Sequence, residues 1–70
     1  MTADRYRAGV MDLAEREAGL VVQFVRLAGI YELPRSDPDF DRVAALLRQA
    51  LEAGTDISFE TRGNRIVCVE

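Results

Sequence analysis

The chain contains no histidine, no tryptophan and no lysine, and only one cysteine and two prolines among its 70 residues. Each absence removes a class of chemistry. Without histidine the chain lacks the commonest general base and the commonest metal ligand. Without lysine it has no Schiff-base amine and no P-loop lysine. A single cysteine, Cys68, forbids an internal disulfide, and a lone thiol suits a reducing cytoplasm. All nine basic residues are arginines, a usage that points to a GC-rich bacterial genome rather than to a function. Long hydrophobic runs are also missing. The longest, Leu20 to Leu33, is interrupted by Arg26 and Glu32, and a membrane helix needs roughly twenty apolar residues. The first twenty residues carry Asp4, Arg5, Arg7, Asp12, Glu15, Arg16 and Glu17, which leaves no apolar region for a signal peptide. The expectation is a cytoplasmic chain with no membrane partner.

What is present reads as one globular domain over residues 1–70, with 49% hydrophobic and 30% charged residues. A chain of this size buries only about 60% of the surface exposed on unfolding. With no disulfide available, oligomerisation is the expected supplement, as a homodimer or with a protein partner. The net charge of −3 lacks the positive field that drives binding to a phosphate backbone, so nucleic acid is a disfavoured partner.

The pattern along the chain predicts helix, strand, helix, strand, strand. The first helix spans about Ala3 to Ala18, with Thr2 as N-cap and Gly19 as the C-terminal stop. Tyr6, Val10, Leu13 and Ala14 form its narrow apolar stripe. The β-branched and aromatic density from Leu20 to Leu33 predicts one long strand bent at Ala28-Gly29, with a hairpin turning there as the alternative. The second helix has its stripe at Phe40, Val43, Leu47, Ala50 and Leu51 and ends at Gly54. The C-terminal hairpin turns at Gly63-Asn64, glycine first as a type II′ turn requires. Arg62 then faces Arg65, Thr61 faces Ile66, Glu60 faces Val67 and Phe59 faces Cys68. Ile57, Phe59, Thr61, Ile66 and Cys68 make the inner face, and Val67 and Val69 the outer. The expected fold class is α+β: a mixed three-stranded sheet against two helices, with a right-handed parallel crossover through the second helix.

The stretch Asp37-Pro38-Asp39-Phe40-Asp41 matches the first three acidic positions of a calcium loop. That loop needs glycine at its sixth position and a bidentate glutamate at its twelfth, and this chain has Arg42 and Arg48 there. A helix start accounts for the same residues: Ser36 or Asp37 caps, Pro38 occupies the first turn, and Asp39 and Asp41 complement the helix dipole. No metal, cofactor or catalytic residue is expected. Cys68, alternating with valines, reads as a buried small hydrophobe rather than an activated thiol. Tyr31 and Glu32 are pocket candidates with no second catalytic partner beside them.

Two surfaces remain. Val67, Val69, Val21 and Val25 supply more apolar surface than a thin sheet needs and are the candidate self-interface. Arg26, Arg62 and Arg65 are a candidate anion patch, since paired guanidiniums grip phosphate. The leading functional expectation is a non-catalytic, self-associating interaction module or a subunit of a larger assembly. The alternative is a small nucleic-acid-associated regulator working through the three arginines.

Overall fold

The computed structural model describes residues 4–69. Its elements are β1 (Asp4–Arg16), β2 (Gly19–Phe24), β3 (Tyr31–Pro34), α1 (Phe40–Ala53), β4 (Asp56–Arg62) and β5 (Arg65–Val69). The strands close into a barrel in the order β1-β2-β3-β5-β4, with β1 returning to β4. Five strands and one helix replace the expected three-stranded sheet with two helices. The mixed character of the sheet holds: β3 and β5 run parallel, and the other pairs are antiparallel. The parallel step joins β3 to β5, however, and not the two strands that flank the helix.

The predicted first helix is strand β1. Its inward positions are Tyr6, Ala8 and Val10, alternating as a strand must; then the register shifts between Val10 and Asp12, and Leu13 faces Val22. One extra residue, Met11, moves the inner face from even to odd positions. Apolar residues at 6, 10 and 13 therefore imitate a helical stripe although each half has a period of two. The N-cap assigned to Thr2 lies outside the described residues. The first half of β1 pairs with β4, from Asp4↔Thr61 to Gly9↔Asp56, and the second half with β2, from Val10↔Phe24 to Arg16↔Gly19. One long strand thus serves both sides of the closure.

The long strand expected over Leu20–Leu33 is instead the hairpin, with Leu20 opposite Leu33 and Val22 opposite Tyr31. The turn is wider than Ala28-Gly29 alone, since β2 ends at Phe24 and β3 begins at Tyr31.

Helix α1 buries Phe40, Val43, Ala44, Leu47 and Ala50, while Leu51 is left 37% exposed. It touches β1, β3, β4 and β5, so the helix shields core that the barrel wall alone would leave open. Its N-cap is Asp39, two residues after Asp37 and three after Ser36, the two expected caps. The Asp37 carboxylate accepts from the Asp39 N–H at 2.8 Å, which forms a turn before the helix and places Pro38 outside the first helical turn. At the other end Gly54 is left-handed (φ 68°) and donates to the Ala50 carbonyl at 2.9 Å, the stop that glycine supplies without a Cβ penalty.

The C-terminal hairpin keeps the predicted pairs Arg62↔Arg65 and Thr61↔Ile66, and Gly63 has the positive φ of 64° that the turn demands. Beyond Ile66 the register shifts, and Glu60 faces Cys68 while Phe59 faces Val69. A bulge at Val67 sends Val69 into the core at 2% exposure and leaves Cys68 half-buried. Both assignments are the reverse of those made without the bulge.

The Thr61 hydroxyl is the one buried side-chain polar atom among the described residues with no hydrogen-bond partner. Burying a hydroxyl without a partner costs more than replacing it by a methyl group. Thr61→Val is therefore expected to stabilise the fold by about 1 kcal/mol, read as a rise in the urea midpoint at unchanged slope.

Candidate binding surface

Closure of the barrel gives every strand a neighbour on both sides, although β3 and β5 meet at the single pair Glu32↔Arg65, so little free strand edge is left for recruiting partners. Association then relies mainly on side chains on the outside of the wall. The outer face of β2, β3 and β5 carries Val21, Glu32, Pro34, Arg65 and Val67. Glu32 stands opposite Val21 on one side and Arg65 on the other. Two hollows adjoin at Pro34: one of about 160 Å³ between Arg16, Val21, Glu32 and Pro34, and one of about 280 Å³ between Pro34, Asp37, Arg65 and Val67. The second opens where the β3–β5 seam runs out, since these strands share only the Glu32↔Arg65 register pair. Pro34 suits that place because it has no N–H to leave unpaired.

The proposed self-interface residues divide. Val67 is 36% exposed and Val21 half-buried on this wall, whereas Val69 is core. Val25 is 43% exposed but lies elsewhere, beside β1, where its N–H donates to the Gly9 carbonyl at 2.8 Å. The anion patch divides as well. Arg62 and Arg65 face one another across the β4–β5 turn. Arg26 lines a separate hollow beside Asp56, at the opposite end of β4 from Arg62, roughly 20 Å along the strand at the usual rise per residue. The three arginines do not form one patch.

Tyr31 and Glu32, noted as pocket candidates, point to opposite sides of β3. Tyr31 joins an aromatic cluster, in which its ring lies 6.4 Å from Tyr6, 5.5 Å from Phe24 and 6.2 Å from Phe59. The Asp4 carboxylate, with smaller contributions from burial and from Tyr31, pushes the Tyr6 hydroxyl above its ordinary pKa. A negative neighbour disfavours the phenolate, so Tyr6 stays protonated near neutral pH and is unsuited to proton abstraction there.

Among the described residues no group of three or more His, Cys, Asp or Glu side chains is placed to hold a metal ion, and no helix is long and apolar enough to cross a membrane. No family model matches the chain, and no significant match was found to a curated protein or to a solved structure. The reading of function rests on the surface itself.

Proposed function

We propose that the chain is a non-catalytic interaction module that self-associates through the outer wall of β2, β3 and β5. The observation that supports this is the makeup of that wall: Val21, Pro34 and Val67 surround a neighbouring acid and base, Glu32 and Arg65. A patch holding both signs of charge is self-complementary, because a two-fold operation sets Glu32 of one copy against Arg65 of the other. An apolar centre flanked by charge is also the usual anatomy of a protein interface. A marginally stable small domain gains stability from such pairing, and a cytoplasmic setting fits the lone free thiol.

Light scattering on a size-exclusion column, over a range of concentrations, tests the reading. The wild type is expected to run as a dimer and Val67→Asp as a folded monomer, while Val25→Asp, on another part of the surface, leaves the dimer intact. A wild-type monomer at every concentration sinks the proposal.

A second reading has one observation in its favour. A five-stranded Greek-key barrel is the architecture of OB-folds, which bind oligonucleotides or oligosaccharides on their second and third strands and the adjoining loops, that between strands 4 and 5 included. Arg62 and Arg65 flank the corresponding turn here. Architecture alone does not assign a function, and Glu32 on the same wall repels phosphate. Running the same column with a single-stranded oligonucleotide at low salt, where phosphate contacts are strongest, separates the two readings by the mass of the complex.

A further inference from the structure

Away from that wall, a hollow of about 330 Å³ lies between β1, the turn after β2, and the junction of α1 with β4. Arg7, Gly9, Val25, Arg26, Gly54 and Asp56 are among the residues around it. Three observations single it out. First, Arg26 has a φ of 69°, the only positive φ at a non-glycine residue among those described. Strained backbone of that kind persists where its surroundings hold it, and it gathers at ligand sites. The Val25 N–H anchors the turn to the Gly9 carbonyl at 2.8 Å. Second, Arg26 and Asp56 carry opposite charges around the same hollow, yet neither makes a side-chain hydrogen bond or ion pair with any described residue. Arg7 is oriented by a 3.2 Å hydrogen bond from Nη1 to Ser58 Oγ, which leaves its other N–H groups available. Third, a β-carbon at position 9 would make ordinary van der Waals contact with Asp56 Oδ1 at 3.5 Å and Val25 Cγ2 at 3.6 Å, which places the β1 backbone beside the Asp56 carboxylate.

We propose that this hollow binds a small zwitterion, its carboxylate held by Arg7 and Arg26 and its ammonium by Asp56. Guanidiniums match the planar two-oxygen geometry of a carboxylate, and a ligand with both charges satisfies two protein charges that do not satisfy each other. The room available takes an amino acid whose charges stand several ångströms apart, or a short peptide. This goes beyond self-association and uses none of the residues of the β2–β3–β5 wall, so either proposal can fail without the other.

The test is an amide-shift NMR titration with 4-aminobutyrate, butyrate and butylammonium, three probes of one chain length that carry both charges or only one. Saturable shifts are expected at residues 7–10, 25–27 and 54–56, with 4-aminobutyrate bound about three- to ten-fold more tightly than either single-charge probe. Asp56→Asn should bring 4-aminobutyrate down to the level of butyrate. Arg26→Gly should abolish binding while raising the melting temperature, because glycine relieves the positive φ. That combination separates a ligand-binding residue from a merely structural one. Absence of saturable shifts, equal affinity for butyrate and 4-aminobutyrate, or undiminished binding by Arg26→Gly would each overturn the assignment.

Discussion

Gly19→Ala is expected to be among the most damaging single-atom additions to this fold, costing at least about 3 kcal/mol. Gly19 opens β2 and sits opposite Pro34 in the β2–β3 ladder. A β-carbon built there lies 2.2 Å from the Leu33 carbonyl oxygen, 2.9 Å from the Arg35 nitrogen and 3.1 Å from the Leu33 carbonyl carbon, all backbone atoms. Those atoms have little freedom to withdraw. The Arg35 N–H is bonded to the Ala18 carbonyl at 2.9 Å, and the Arg35 side chain donates to the Arg16 carbonyl at 2.8 Å and the Glu17 carbonyl at 3.3 Å. The chain after β3 is thus strapped over the β1–β2 turn, and an added methyl group must break the strap or the ladder. Gly63→Ala is the control. Its φ is also positive, at 64°, but nothing lies within 4 Å of the added carbon, so it should cost only about 1–2 kcal/mol, the left-handed penalty alone. Urea denaturation of both variants checks the ranking, and a Gly19→Ala midpoint no lower than that of Gly63→Ala would refute it.

Gly19 also shows how the sequence could be read correctly as an interruption and wrongly as to kind. A glycine after an apparent helical stripe suggests a C-terminal stop, and here it permits backbone to cross at close range between two strands. The helical reading of β1 failed for a definable reason. A strand with one bulge places inward residues at 6, 8, 10 and 13, and Ala8 is too small to announce the period of two. Pairing with two different strands then outweighs the helix preference of Ala, Arg and Glu. A bulge defeated the end of the chain in the same way, exchanging the environments of Cys68 and Val69. Where alternation or helical spacing ran without interruption, the residues were legible: the α1 stripe apart from Leu51, its Gly54 stop, the inner positions Ile57, Phe59 and Thr61, and the turn at Gly63-Asn64. The surfaces were legible only in part. Exposure of Val67 followed from alternation. The separation of Arg26 from Arg62 and Arg65, and the meeting of Arg7, Arg26 and Asp56 at one hollow, depend on β1 being a strand beside β4, which no local pattern states.

Phe59→Ala is the second large effect, at about 3–5 kcal/mol, and its interest lies in what a partner mutation does. Phe59 is 1% exposed and stacks on Phe24 at 3.9 Å between ring centroids with 12° between planes. Tyr6 lies 5.7 Å away and Tyr31 6.2 Å away. In the ladders Phe59 faces Tyr6 on β1 and Val69 on β5, while Phe24 faces Val10 at the point where β1 changes partners. The stack therefore ties the β4 side of the barrel to the β2 side through its interior, where no hydrogen-bonded ladder joins those two strands. For a domain whose whole stability is of order 5–15 kcal/mol, losing one ring removes a large share of the margin, so the urea midpoint followed by circular dichroism should fall steeply at 25 °C. Phe59→Leu, which preserves more of the volume, should cost distinctly less, about 1–2 kcal/mol, and gives a background stable enough for a cycle with Phe24→Leu. The double variant is expected to be less destabilised than the sum of the singles by about 0.5–1.5 kcal/mol, because the ring–ring contact is lost once rather than twice. Strict additivity in urea melts would mean that the two rings fill space independently and that their stacking adds no coupling across the barrel.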